Sequence, residues 1–125
     1  MADILYQEES YQIQGAIFEV YKELGTGFLE SVYQECLEKE FVIRNIPFER
    51  QAEFKLTYKG QPLQQYFKAD LICYKSIIIE LKTVKTFDPI HRAQVLNYLK
   101  AARLRLGLLV NFHSFPKAEI ERIIL

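Results

Sequence analysis

Residues 68–82, KADLICYKSIIIELK, are the stretch that decides how this chain folds. Tyr66 to Tyr74 is one apolar-rich run, Ile77 to Val84 is the next, and Lys75-Ser76 lies between them. Two such runs around a short turn predict a β-hairpin. Because successive side chains point to opposite faces of a strand, one face of the hairpin is predicted to be wholly apolar. That face comprises Phe67, Ala69, Leu71, Cys73, Ile77, Ile79 and Leu81.

The other face of the predicted hairpin carries the charged side chains. A turn centred on Lys75 places Asp70 opposite Glu80, with Cβ atoms about 4.5–5.5 Å apart, where like charges destabilise the pair. A divalent cation held by both carboxylates would offset this repulsion. Diagonal ion pairs of Asp70 with Lys82 and of Glu80 with Lys68, on a solvated face, would do the same. The charge pattern alone favours these ion pairs, because charge runs usually mark solvated faces.

The composition is that of a globular protein: half of the 125 residues are hydrophobic, 14% are aromatic and 26% are charged. This length predicts one domain over residues 1–125 with a core of its own. No apolar run is long enough to span a membrane. The N-terminal residues MADILYQEESYQ lack the basic start and apolar centre of a signal peptide. We therefore expect a cytoplasmic protein with no membrane partner, in which Cys36 and Cys73 are free buried thiols.

The charge is unevenly distributed along the chain. The formal net charge is zero, which argues against a protein coated in basic charge. Residues 68–105, however, contain eight Lys or Arg and three Asp or Glu, whereas residues 1–67 contain six and eleven. The predicted hairpin and the segment after it are therefore locally basic, which suits a phosphate-bearing ligand.

Apolar periodicity and turn residues predict the remaining elements. Helices are expected over residues 8–24, ending at Gly25, and 29–44. Residues 48–58 alternate as a strand and would form an antiparallel meander with the hairpin. Asp88 as N-cap and Pro89 at the first helical position begin a third helix that runs to about residue 103. A buried strand over 108–112 would complete a βαβ unit, and 121–125 an edge strand. The predicted fold class is α/β, with a mixed sheet.

Two helices carry polar residues at spacings that place them side by side. Glu30 and Tyr33 lie three residues apart in the first turn of the second helix. Taken alone, Glu30 is a carboxylate favoured by the helix dipole and Tyr33 is a core residue. His91, Gln94 and Tyr98 form one stripe on the third helix.

The ordered set of Asp70, Glu80-Leu81-Lys82, Gln94 and Tyr98 resembles the PD-(D/E)XK nuclease superfamily in its RecB-like form, which has a QxxxY helix. Residues 27–33, GFLESVY, match the motif that names the GxxExxY family within that superfamily, and the resemblance covers roughly residues 10–125. Ala69 stands where the superfamily name implies proline. Residues 111–115 carry an extra residue or two compared with the shorter family turn. No iron–sulfur cluster is expected, because such clusters need four cysteines.

The resemblance implies a restriction-endonuclease-like core and metal-dependent phosphodiester hydrolysis. Asp70 and Glu80 would bind Mg²⁺ or Mn²⁺, with Glu30 completing the acidic site. Lys82 would position or activate the attacking water and stabilise charge on the phosphate. The candidates for orienting the substrate are Gln94, Tyr98, Tyr33 and His91.

These implied roles agree with the chemistry of the residue types. A carboxylate-held metal supplies hydroxide at neutral pH and neutralises the transition state. Lys82 lies on the same strand face as Glu80. With the resemblance in view, the cation is favoured over the diagonal ion pairs. The expected partner is nucleic acid, DNA in preference to RNA, bound by a monomer or a homodimer. The alternatives are a non-catalytic nucleic-acid- or partner-binding module that retains the nuclease fold, and a structural domain with a charged sheet face.

Overall fold

Three helices and five strands make up residues 4–125, the part of the chain that the computed structural model describes. Residues 1–3, which belong to the predicted domain and to the N-terminal segment discussed above, lie outside the described residues. The elements are α1 (Gln7–Leu24), α2 (Glu30–Ile43), β1 (Phe48–Tyr58), β2 (Gln61–Cys73), β3 (Ile77–Lys82), α3 (Pro89–Ala102), β4 (Leu106–Asn111) and β5 (Glu119–Ile124).

The strands form one mixed sheet in the order β1-β2-β3-β4-β5. Strands β1 to β3 are an antiparallel meander, β4 runs parallel to β3, and β5 is an antiparallel edge strand. Helix α3 connects β3 to β4, so the predicted βαβ unit and the predicted fold class are confirmed. Some predicted bounds differ: β2 begins at Gln61 instead of Tyr66, because the β1–β2 pairing continues to the Lys59-Gly60 turn.

The helices cover both faces of the sheet. Helices α1 and α2 share one buried cluster with Leu71, Cys73 and Ile79. Helix α3 packs on the opposite face, against Ile72 and Ile78. Helix α3 therefore covers part of the hairpin face that carries the charged residues and that the ion-pair interpretation left to solvent. The charged residues of this face lie next to buried apolar side chains.

The prediction that one hairpin face is wholly apolar is wrong for Phe67 and Ala69. These two side chains pack on the α3 side, whereas Leu71 lies on the side of α1 and α2. The side chains switch from one sheet face to the other at Asp70 of β2 and at Gln51 of β1. These two residues lie opposite each other, between the pairs Arg50–Leu71 and Ala52–Ala69. Gln51 has a φ of 49°, in the left-handed region, and such a residue interrupts the alternation of side chains as a β-bulge does.

Helix α3 lies close to β4 because of a glycine. A Cβ atom added to Gly107 would lie 2.5 Å from Val95 Cγ1, which is a steric clash. The helix begins as the sequence predicts: Asp88 is the N-cap, its carboxylate accepts a hydrogen bond from the Ile90 N–H, and Pro89 follows. Together these features fix which side chains α3 directs towards the end of β3.

Two further sequence expectations concern single features of the chain. Within the described range, no helix has the length and apolar character needed to cross a membrane. Both cysteines are free, Cys73 is buried and Cys36 is half-buried. Burial raises the pKa of the Cys73 thiol to about 12.

Candidate active site

Asp70 and Glu80 meet where the pairing of β2 with β3 stops. The ladder pairs Cys73 with Ile77, continues to Leu71 and Ile79, and ends one step before the two acids. Beyond that point, hydrogen bonds from side chains to the backbone take the place of the backbone–backbone hydrogen bonds. Glu80 Oε1 accepts a hydrogen bond from the Asp70 N–H (3.0 Å), and Asp70 Oδ2 accepts one from the Leu81 N–H (2.9 Å). Each carboxylate is thereby oriented by the opposite strand through one of its two oxygens.

Burial and mutual repulsion disfavour the charged forms of this pair. Glu80 is only 4% exposed, and its burial, followed by the charge of Asp70, raises its pKa to about 8. Burial also raises the pKa of Asp70, although the Leu81 N–H and Lys82 act in the opposite direction. Without a bound cation the pair therefore tends to retain a proton near neutral pH.

Lys82 and the polar stripe of α3 lie on the same side as Glu80. Lys82 Nζ donates to Gln94 Oε1 at 3.4 Å, and its charge lowers the pKa of both acids. The Tyr98 ring stacks on Phe67 with centroids 4.0 Å apart. Burial raises the pKa of the Tyr98 phenol, and the charges of Glu80 and Asp70 add to this effect. Tyr98 is therefore electrostatically coupled to the acids, and Gln94 is linked to them through Lys82.

Glu30 approaches the pair from the first turn of α2. Its Oε2 accepts hydrogen bonds from the Thr83 N–H (3.2 Å) and the Thr83 hydroxyl (3.5 Å). Its negative charge raises the pKa of both Asp70 and Glu80. Glu30 is exposed and joins α2 to the segment directly after Lys82.

Tyr33 and His91 each make contacts within their own part of the fold. Tyr33 is fully buried, its hydroxyl donates to the Gly25 carbonyl (2.6 Å), and its ring stacks on Phe112. It therefore supports the turn before Glu30. His91 Nδ1 accepts a hydrogen bond from the Asp88 N–H (3.0 Å) and completes the capping box of α3.

Three polar residues that the sequence analysis did not select support the site. Gln34 Nε2 donates to the Asp70 carbonyl (3.1 Å), and Gln51 Nε2 donates to Gln34 Oε1 (3.2 Å). Asn111 is fully buried and bonds to both the N–H and the carbonyl of Val84, two residues after Lys82. Asn111 could have been selected from the sequence, because it is a polar residue at the end of an otherwise apolar strand. No such pattern in the sequence distinguishes Gln34 and Gln51 from other polar residues.

The diagonal ion pairs do not form between β2 and β3 in residues 4–125. Lys68 lies 3.6 Å from Glu53 of β1 instead, and Lys82 contacts Gln94. The repulsion between Asp70 and Glu80 is therefore offset by backbone N–H groups and by the charge of Lys82, and not by the two diagonal ion pairs.

The donor chemistry at this site suits a hard divalent cation. No group of three or more His, Cys, Asp or Glu side chains in the described residues is arranged to hold a metal ion. Two carboxylates nevertheless face each other, and the hydrogen bonds described above use one oxygen of each. Mg²⁺ is commonly held by one or two carboxylates with water and phosphate oxygens completing its shell. The residues fit such a cation.

Comparison with known proteins gives a family match and matches to solved structures. The family model of the PD-(D/E)XK nuclease superfamily matches residues 7–123. The crystal structure of SSO0001 is similar in fold, with 21% sequence identity and a TM-score of 0.59 over 95% of this chain and 59% of that one. The chain thus spans about three fifths of the length of that protein. No curated protein matches the chain.

Proposed function

Because this chain belongs to the PD-(D/E)XK nuclease superfamily, we propose that it is a metal-dependent nuclease that hydrolyses phosphodiester bonds in nucleic acid, DNA in preference to RNA. The observation that carries the proposal is the pair of carboxylates of Asp70 and Glu80, fixed by each other's backbone, with Lys82 beside them. We also propose that the chain belongs to the RecB-like, GxxExxY part of the superfamily, which the GFLESVY and QVLNY segments support.

In this proposal Asp70 and Glu80 hold Mg²⁺ or Mn²⁺, and Glu30 contributes from α2. Such an ion, when bound, makes water nucleophilic at neutral pH and neutralises charge that develops on the phosphate. Glu80 would hold the ion in its ionised form, which the positive charge of such an ion would favour against the burial and repulsion that raise the pKa of Glu80.

Lys82 contributes a positive charge where the substrate phosphate would lie. Its ammonium group is held by Gln94 Oε1, so the charge is directed before substrate arrives. Tyr98, stacked on Phe67, has a hydroxyl close enough to the acids to be affected by their charge. Gln94 and Tyr98 therefore act as positioning residues for the lysine and for the phosphate backbone.

A second candidate function is a nucleic-acid-binding module without catalysis. It is favoured by the hydrogen bonds that Glu30 Oε2 accepts from Thr83, because these occupy one of the two carboxylate oxygens of the third acid. A homodimer would double the surface available for nucleic acid in either case.

A cleavage assay distinguishes the two functions. Labelled single-stranded and duplex oligonucleotides are incubated with Mg²⁺, Mn²⁺ or EDTA and with wild type, Lys82→Ala or Lys75→Ala protein. Lys75 is exposed in the hairpin turn, at the opposite end of β3 from Lys82, and is the matched control. We expect metal-dependent cleavage by wild type and Lys75→Ala only. Equal cleavage by Lys82→Ala would refute the role of that lysine, and no cleavage by wild type under any condition would favour the binding module.

A further inference from the structure

A groove lined by segments that follow β3 and β4 combines exposed aromatic side chains with lysines. Two adjoining depressions of ≈ 620 and ≈ 430 Å³ share Phe18, Phe115, Pro116 and Lys117 as lining residues. Phe115 is 86% exposed and Phe18 is 37% exposed. A large aromatic ring left in water at the rim of a groove is typical of a surface that binds a partner.

The groove is positively charged. Its lining includes Lys22, Lys85 and Lys117, and Glu119 is the one acidic residue among them. The charge favours an anionic occupant. It disfavours a symmetric contact with the same groove of a second copy, because a two-fold axis would bring the lysines of both copies together.

Three chain segments that line the groove lie next in sequence to elements of the candidate active site. Lys85 and Thr86 follow Lys82 by a few residues, and Gly25 and Thr26 precede Glu30 in the same way. The third segment, Ser114–Ala118, follows β4, whose last residue Asn111 pairs with Lys82. All three lie at the carboxyl ends of the parallel strands β3 and β4, where ligands of α/β sheets bind.

The turn that carries Phe115 is anchored to the rest of the fold. The Tyr21 hydroxyl of α1 donates a hydrogen bond to the Ser114 carbonyl at 2.8 Å. Ala118, on the other side of Phe115, is buried in the cluster of α1 and α2. The backbone of the turn is thus held on both sides of Phe115. A partner that stacks on the ring would not have to order the turn first.

We propose that this groove binds a single strand of nucleic acid at the end of the sheet where Glu80 and Lys82 lie, with a base stacked on Phe115 and phosphates beside Lys85 and Lys117. The inference rests on the proposed nuclease function and names its substrate class. A base within a duplex has both faces covered by its neighbours, so an exposed ring selects an unpaired base. Stacking of this kind tolerates any sequence, since every base has a π-face.

Binding without cleavage tests the groove separately from catalysis. Fluorescence anisotropy is measured in EDTA with a labelled single strand of about 15 nucleotides, within the site sizes of single-strand binders. The same sequence is measured as a duplex and as RNA. Phe115→Leu keeps an apolar side chain but removes the stacking ring, whereas Phe115→Tyr keeps it. Tyr58→Leu is the control, since Tyr58 is 64% exposed on β1 at the opposite edge of the sheet.

The expected results are specific to stacking and to charge. Phe115→Leu should weaken single-strand binding about tenfold, in line with the value of one base stack, while Phe115→Tyr and Tyr58→Leu bind as wild type does. Lys85→Gln and Lys117→Gln should each reduce the slope of log K against log salt by about 0.7. Lys75→Gln should leave the slope unchanged. Duplex DNA should bind more weakly than the single strand to wild type.

Several outcomes would overturn the inference. Equal single-strand affinity of Phe115→Leu and wild type would do so, as would a preference for duplex that the lysine variants leave intact. If Phe115→Leu instead turned a dimer into a monomer in light scattering with unchanged oligonucleotide affinity, the groove would be a protein interface. Groove-dependent binding without cleavage in Mg²⁺ would support the groove and refute the proposed nuclease function. Cleavage in Mg²⁺ that is the same for wild type and Phe115→Leu would support the nuclease function and refute the role of the groove.

Discussion

Replacing Glu80 by glutamine should stabilise the metal-free protein at alkaline pH and change its stability little in mild acid. Burial raises the pKa of Glu80 to about 8 in the folded state, from the ordinary value of 4.5. Between these values the folded state holds a proton that the unfolded state has lost. The stabilisation from this protonated group is therefore complete below pH 4.5 and is lost as the pH rises through 8. Glutamine keeps the size and the oxygen that accepts the Asp70 N–H bond, without the charge.

The magnitude follows from the same shift. At about 1.36 kcal/mol per pKa unit, ionising Glu80 in the fold costs roughly 5 kcal/mol. Because Glu80 is 4% exposed, solvent screening reduces this little. Because Asp70 and Glu80 influence each other's titration, part of this cost falls on Asp70. We therefore expect the free energy of unfolding of Glu80→Gln to gain about 2–5 kcal/mol over that of wild type between pH 5 and pH 9.

Urea denaturation in EDTA, followed by far-ultraviolet circular dichroism across this pH range, measures the difference. Glu53→Gln is the control, because it removes the same charge from an exposed position of β1. A stability difference between wild type and Glu80→Gln that does not change with pH would refute the account of the buried pair. So would a difference that changes equally in the control.

Three other substitutions test the packing and the site. Gly107→Ala should destabilise the fold by about 1–3 kcal/mol, because the new methyl group meets Val95 at 2.5 Å; an unchanged melting temperature would contradict this. Asn111→Ala should cost a similar amount, about 1–3 kcal/mol, because it leaves both backbone groups of Val84 without their partner; thermal denaturation measures the loss. Glu30→Gln should weaken Mn²⁺ binding in a calorimetric titration. Unchanged affinity would mean that Glu30 acts only as an acidic residue in the first turn of α2.

The sequence predicted the elements because their causes are local. The Asp88-Pro89 cap and the apolar runs on both sides of Lys75 each act within a few residues, and the observed elements follow them closely. The change of face at Asp70 was not predictable, because it depends on the left-handed conformation of Gln51 in the neighbouring strand. Alternation within β2 alone gave no sign of it.

The site shows the same division between local and tertiary causes. Placing Asp70 opposite Glu80 needed only the turn position, and the β2–β3 register agrees with it. The crossed hydrogen bonds to backbone N–H groups depend on where the ladder stops, which no local pattern sets. The spacing of Tyr33 to Glu30 could not reveal that the Tyr33 hydroxyl reaches the Gly25 carbonyl, and its role in orienting the substrate stays a prediction.

The most direct test of the central claim, that Asp70 and Glu80 hold a divalent cation, is calorimetric titration of Mn²⁺ into wild type and into the Asp70→Asn/Glu80→Gln double variant. The double variant is isosteric, so circular dichroism can verify that its fold is intact. We expect saturable binding by wild type that is lost in the double variant and that strengthens as the pH rises towards 8, where the proton on Glu80 competes less. Equal binding by both proteins would contradict it, as would no binding by wild type even with an oligonucleotide present to supply phosphate oxygens.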